Sequence, residues 1–488
     1  MTEKRKKRIE SIFIAGVFLF FLIWFGFVHP LIIYNGDDWT YISYTREAWP
    51  FLSWNPSRIF PETIMAAFSY LGIYLIYPIT QDYISAIAWS YAFAAAVFIS
   101  IYIVLFMKMA RITFRQKIMN AITSSLFFLL LHFNLLKICE SDNVYLFWAQ
   151  DVTCFFYYTI GSVINASLVL LCLQKDISLM LISKGSMLKK GIIILISYIA
   201  VFSNLFTSII LLSYCSANGL YKIIRYTKTK EKKLSWLEHI IYETFVIVMW
   251  LVSAFFEANG GRAHSFSRDT ESIIKTIITI LKWSKRFNPL CIIILSLIFL
   301  CAIVISIRRG NKLIIRMLFT SISCLFFSML YLSALATRTG IHYLERADVI
   351  YSLLFFLILT GSISLCHLVG ENGKILIVIP LVLYIMMCNT MNGDHVFKEN
   401  ISRNIPPNKA KAVDKYIIEQ INDGMKMNLP EIIIKVPENL ERDDNWPHPD
   451  WMGSRISTTL IRHGITDKDI KIIVEPDHEV NRQFQLPY

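Results

Sequence analysis

The residues best suited to chemistry stand in "YNGDDWTY", Tyr34 to Tyr41. Asp37 and Asp38 follow directly on an apolar run of about twenty residues, the length that crosses a bilayer. Two adjacent carboxylates near a low-dielectric medium repel each other, which raises at least one pKa toward the range of a general base. "NGDD" is also good turn and helix-capping chemistry, so the pair reads equally as a structural turn. The same stretch continues to Arg46, Glu47, Arg58 and Glu62, among Trp39, Trp49 and Trp54.

Three further polar groups accompany this one. "CESDNVYLFWAQDVTC" carries Glu140, Asp142 and Asp151 beside Trp148. Acids next to aromatic faces suit a sugar, gripping its hydroxyls while the rings stack, although aromatics also form belts at membrane interfaces. "EANGGRAHSFSRD" supplies Arg262, His264 and Arg268, and "ATRTGIHYLERAD" supplies Arg338, His342, Glu345 and Arg346. The arginine fork pairs a phosphate in two-pronged geometry, and ion pairing with a neighbour such as Asp348 or Glu345 is the plainer alternative. No third metal-type partner stands at a recognisable spacing from either histidine, so no metal or cofactor is assigned.

The elements that must position these residues are membrane helices. Of 488 residues, 55% are hydrophobic and 17% charged, and apolar runs of bilayer length recur to about residue 390. The first run, after "EKRKKR", lacks the short apolar core and small-residue cleavage site of a secretory signal, so it is expected to stay as an anchor. The net charge of +12 comes from short basic clusters between apolar runs, which fits membrane topology and excludes nucleic acid as its cause. Placing the clusters at 107–117, 175–190, 221–233 and 308–316 in the cytoplasm demands about 11 spans. They fall near 11–33, 85–107, 118–136, 154–174, 191–202, 205–221, 235–256, 289–307, 315–335, 348–368 and 374–390. Residues 63–80 are then re-entrant or interfacial. The segments 34–84, 137–153, 257–288 and 336–347 face outward with all four polar groups. In 271–286, Ile273, Ile274, Ile277, Ile278 and Leu281 share a face, the pattern of a helix lying on the membrane.

Residues 1–390 are therefore expected to form the membrane part and 391–488 a small extracytoplasmic α/β domain. "EIIIKV" and "IKIIVE" are its strand candidates, with helical patterns near 408–424 and 450–463. This tail holds 13 Lys/Arg and 16 Asp/Glu, so the positive excess, 35 against 20, belongs to the membrane part. The nine cysteines include no CxxC; Cys139 and Cys154 bracket one outward loop and are the pair an oxidising compartment would join. Carboxylates are nearly absent from the span interiors, with Glu243 the main exception. That scarcity disfavours an ion-coupled transporter, which needs ionisable groups near the midplane.

The whole layout, with "GDDW" and the downstream "NPSRIFPE", resembles the GT-C class of polytopic membrane glycosyltransferases, and among them the phage-type serotype-converting O-antigen glucosyltransferases. The resemblance implies an all-α membrane fold with an extracytoplasmic C-terminal domain in a bacterial inner membrane. It implies transfer of a sugar, with glucose expected, from a polyprenyl-phosphate carrier to a hydroxyl of a surface glycan such as the O-antigen of lipopolysaccharide. In that class the first acid of the pair is the base, which falls on Asp37; Asp38 stands where relatives often have Glu. Arg58, Arg262 and Arg346 are the residues expected at the donor phosphate, and Asp151, Trp148 and Glu62 at the acceptor. Two other readings compete. An O-antigen polymerase or ligase would carry a large arginine-rich outward loop in mid-chain, and a lipid-linked sugar flippase would line a path through the spans with polar residues.

Overall fold

The computed structural model describes residues 2–44, 56–136, 145–229, 238–259, 272–371 and 405–486. Arg262, Cys139, the tryptophans Trp49 and Trp54, and the expected span at 374–390 lie outside them.

Among the described residues eight helices are long and apolar enough to cross a membrane: Glu3–Val28, Ile59–Thr80, Tyr83–Thr113, Val152–Gln174, Ile241–Ala258, Pro289–Arg308, Lys312–Thr339 and Tyr351–Gly370. Ile118–Asn134 is a shorter apolar helix. In lipid every backbone N–H and C=O must be satisfied within the segment, and continuous helices do this. The chain is a multi-pass membrane protein. The 191–221 hairpin resolves into Met187–Val201 and Leu205–Thr229, joined by a turn at 202–204 in which Asn204 accepts a hydrogen bond from Phe206 N at 2.9 Å.

Residues 63–80, expected to be re-entrant or interfacial, lie in one 22-residue helix, Ile59–Thr80, whose length and composition would also suit a span. Arg111 pairs with Glu10 at 2.6 Å, so the start of the first helix lies beside the end of Tyr83–Thr113, as the expectation requires. A π-helical turn at Gly72–Ile76 carries it past the glycine without a break. Asp82 then caps the next helix, accepting from Ser85 N at 3.1 Å.

Burial sorts the bundle into centre and rim. In Val152–Gln174 and Tyr351–Gly370, 78% and 83% of the most apolar stretch is buried by protein, against 17% in Glu3–Val28 and 22% in Pro289–Arg308. A helix whose apolar surface is left uncovered has lipid for its solvent, so the poorly covered helices form the rim. The amphipathic helix forms: in Ile273–Lys282, Ile273, Ile274, Ile278 and Leu281 are exposed while Thr276 and Ile280 are buried. Trp283 pins its end by donating Nε1–H to the Leu344 carbonyl at 2.7 Å.

The C-terminal segment forms both expected strands. β1 (Glu431–Pro437) and β2 (Lys471–Asp477) pair in parallel, Glu431 opposite Lys471. Parallel strands need a crossover, supplied by the helix Met452–Arg462, and Pro407–Lys426 packs against β1. Alternation buries Ile432, Ile434 and Val436 from one strand and Ile472 and Val474 from the other.

Gly453, at the start of the crossover helix, lets it lie directly on β2: a Cβ there would stand 2.3 Å from the Ile472 carbonyl oxygen. Backbone cannot swing aside as a side chain can. Gly453→Ala is therefore expected to cost about 1–3 kcal/mol and to make the 405–486 segment protease-sensitive in limited digests, while helices elsewhere stay intact by circular dichroism.

Candidate functional site

The sequence "YNGDDWTY" folds into a short helix, Gly36–Tyr41, because Asn35 caps it. Asn35 Oδ1 accepts from Asp38 N at 2.8 Å, and the Asp38 side chain returns the bond to the capping residue, so the two satisfy each other's otherwise unpaired donors. Asp37 and Asp38 occupy the first turn, where the helix dipole favours negative charge.

Their fates differ. Asp38 is fully buried and acts as a hub. Its Oδ1 accepts from Thr153 N at 2.8 Å and Thr153 Oγ1 at 2.7 Å, and its Oδ2 from Tyr34 N at 3.1 Å. Asp37 stays half-buried on the same turn. Adjacent residues on a helix point about 100° apart, so only one of the two can enter the core.

Thr153 lies in the first turn of the Val152–Gln174 helix, whose N-cap is Asp151: the Asp151 Oδ1 accepts from Cys154 N at 2.6 Å. Asp151 is buried as well, which brings two carboxyls together across two chain segments. Burial and then the Asp151 charge push Asp38 up to about 8, against the pull of the bonds from Thr153 and Tyr34. Burial also raises Asp151, opposed by the Cys154 N–H and by Arg346.

Arg346 forks onto Asp348, Nε to Oδ1 at 3.1 Å and Nη2 to Oδ2 at 2.5 Å, and Nη2 also reaches Cys154 Sγ at 3.2 Å. Its guanidinium lies 4.7 Å over the Tyr158 ring. Ion pairing with Asp348, the alternative open from sequence, is what holds this arginine. Arg58 donates to Glu257 at the end of another helix, and its backbone N–H donates to the Phe202 carbonyl at 2.7 Å. Glu62, one helical turn on, is buried and accepts from Tyr157 Oη at 2.7 Å. Tyr157 in turn packs 5.5 Å from Tyr41 of the acid-bearing helix.

The structure thus draws Asp38, Asp151, Arg346, Arg58 and Glu62 around the first two turns of Val152–Gln174. Trp148 is buried just before that helix, its backbone N–H donating to the Tyr145 carbonyl at 3.0 Å. Both described arginines have carboxylate partners, so a phosphate would have to share them. Arg346 keeps Nη1 without a hydrogen bond to the described residues. Residue-by-residue reading passed over Thr153, Tyr157 and Glu257. Thr153 carries a local signal, since "DVTC" is an Asp-led helix start, but its partnership with Asp38 spans 115 residues. Among the described residues no group of three His, Cys, Asp or Glu side chains is placed to hold a metal ion.

The C-terminal segment covers the outer side of the acid-bearing helix. Gly36 N donates to the Pro447 carbonyl at 3.0 Å, and a Cβ on Gly36 would stand 2.6 Å from the Trp451 ring. Thr459 Oγ1 donates to the Trp39 carbonyl at 3.1 Å, and Ser43 Oγ meets it at 2.8 Å. His463 bridges Tyr83 Oη at 2.7 Å and Ser69 Oγ at 3.1 Å, and burial holds its pKa down to about 4, keeping the ring neutral.

Asp38 binds its proton more tightly in the folded chain than in the unfolded one. The stability gained from the protonated carboxyl is full below about 4 and is lost as the pH rises through about 8. Thermal midpoints in detergent are expected to fall from pH 5 to pH 8.5, and Asp38→Ala is expected to flatten that slope. The same substitution orphans Thr153 and Tyr34 donors and costs about 2–4 kcal/mol at acid pH, whereas Asp37→Ala, which leaves those donors satisfied, is expected to cost less. Equal losses at the two positions would contradict the hub.

No family model matches this chain, and no curated protein or solved structure matches it either.

Proposed function

We propose that the protein is an inverting glycosyltransferase of a bacterial inner membrane, moving a sugar, with glucose the first candidate, from a polyprenyl-phosphate carrier to a hydroxyl of a surface glycan such as O-antigen. The observation that carries the reading is the division of labour within the acid pair. Asp38 is enclosed by hydrogen bonds and burial, while Asp37, on the same rigid turn, remains half-buried at the mouth of the first membrane helix. A general base needs that combination of access and fixed direction.

In the reaction the acceptor hydroxyl gives its proton to Asp37 as its oxygen attacks the anomeric carbon from the face opposite the leaving group. The bond to the carrier phosphate breaks, and the configuration inverts. Polyprenyl phosphate leaves as a stable anion, so it needs cations more than an acid. Arg346 through its unengaged Nη1, and Arg58 by exchange with Glu257, supply them, with Arg262 a third candidate. Asp151, Trp148 and Glu62 are the residues assigned to the acceptor side. The buried positions of all three make them wall rather than contact surface in this state, so acceptor entry is expected to require rearrangement around them. The extracytoplasmic side follows from the basic loops at the opposite helix ends.

Membranes containing Asp37→Asn are expected to transfer labelled sugar from a polyprenyl-phosphate donor to lipopolysaccharide at least about 10²-fold more slowly than wild type at equal abundance. Asp38→Asn is expected to lower transfer only in proportion to its abundance. Full transfer by Asp37→Asn would remove the acid pair from the chemistry. Loss confined to specific activity of Asp38→Asn would move the base by one residue.

A further inference from the structure

Glu243, the acid stranded within a span, has buried company at the end of the bundle remote from Asp38. Its Oε1 accepts from Lys222 Nζ at 2.9 Å and Asn218 Nδ2 at 2.7 Å, and its Oε2 from Ser178 Oγ at 2.7 Å. Lys222 Nζ also donates to Asp176 Oδ1 at 3.1 Å and to the His239 carbonyl at 2.8 Å. Asp151 and Asp176 bracket the helix Val152–Gln174, whose 23 residues put this network about 34 Å from the acid pair, one bilayer thickness away.

Beside the network lies a cleft of about 180 Å³ between the end of that helix and the helices Leu205–Thr229 and Lys312–Thr339. Lys175, Arg316, Asn218 and Asp176 face it from the polar side, Leu313 and Met317 from the apolar side. Asp176 is spent on Lys222 and on capping Leu179 N at 3.3 Å. Arg316 is aimed rather than neutralised: Nη2 donates to Asn218 Oδ1 at 3.3 Å, and the guanidinium stacks 4.7 Å over the Tyr221 ring. Among the described residues neither Arg316 nor Lys175 has a carboxylate within ion-pair distance. Counting Lys222 and Glu243, the cleft keeps one positive charge in excess. Leu313 and Phe319, both well exposed, continue an apolar surface away from it along the Lys312–Thr339 helix.

A fixed guanidinium and a free ammonium at the border of an apolar face match an anionic phosphate carried on hydrocarbon. We propose that this cleft is a phosphate-binding site for an anionic lipid headgroup, with Arg316 and Lys175 its cationic contacts and the Glu243–Asn218 pair the positioning device behind Arg316. It lies far from the acid pair and stands whether or not the protein transfers sugar.

The test uses the full chain in detergent, supplemented separately with phosphatidylglycerol, phosphatidylcholine and inorganic phosphate, read by thermal midpoint and by native mass spectrometry of retained lipid. Phosphatidylglycerol is expected to raise the wild-type midpoint by several degrees and to be retained, and Arg316→Gln with Lys175→Gln to lose one retained lipid and most of that shift. Should the double variant not fold, Lys175→Gln alone, at an exposed helix end, is expected to weaken retention about fivefold. A shift with inorganic phosphate in wild type, absent from the variant, would support the phosphate site and assign it to a soluble ligand. Equal retention of phosphatidylglycerol by wild type and variants, or equal stabilisation by phosphatidylcholine, would overturn the proposal.

Discussion

A buried carboxyl that must be satisfied governs the half of this protein that holds the acid pair. Asp38 sits at the start of a six-residue helix, far too short to hold itself together in water. It becomes stable because the carboxyl is locked from both directions, by the backbone of Tyr34 before it and by Thr153 from a helix more than a hundred residues later. An unpaired acid at that depth would cost several kcal/mol. Once Asp38 is placed, the start of the Val152–Gln174 helix is placed too, and with it Asp151, Tyr157 and the contacts to Glu62 and Arg346.

The same constraint explains the role of the C-terminal segment. A six-residue helix cannot cover its own outer face. The Met452–Arg462 helix supplies that cover, and Gly36 permits it by admitting the Trp451 ring where any side chain would collide. His463 ties the far end to Ser69 and Tyr83, the latter at the start of the longest described helix. The segment is thus a brace across the acid-bearing helix as well as a small α/β fold.

Charge is distributed on the same economy. At the end that holds the acid pair arginines are held beside carboxylates, Arg346 on Asp348 and Arg58 on Glu257; at the other end Lys222 is enclosed by Glu243 and Asp176. Ion pairs of this kind, buried in a membrane protein, remove the penalty of isolated charge and fix helix ends relative to one another. Arg316 is held differently, by an amide and a ring rather than by an acid.

The sequence by itself determined the membrane class, the positions of most described helices, the amphipathic helix at 273–282 and both strands of the C-terminal sheet. These follow from the period and length of apolar runs, which are local properties. It also marked the acid pair, because adjacent carboxylates at a span exit are conspicuous in one dimension. What local pattern could not settle was the 59–80 helix, where the topology rule and the hydropathy of the run pulled in different directions. Nor could it say which acid is enclosed and which remains accessible. Asp37 and Asp38 have the same chemistry and the same neighbours in the chain; only the arrival of Thr153 from a distant helix separates them. Likewise, the pairing of Arg346 with Asp348, two residues on, was open to a local reading, whereas that of Arg58 with Glu257 spans 199 residues and is decided by the packing of helices.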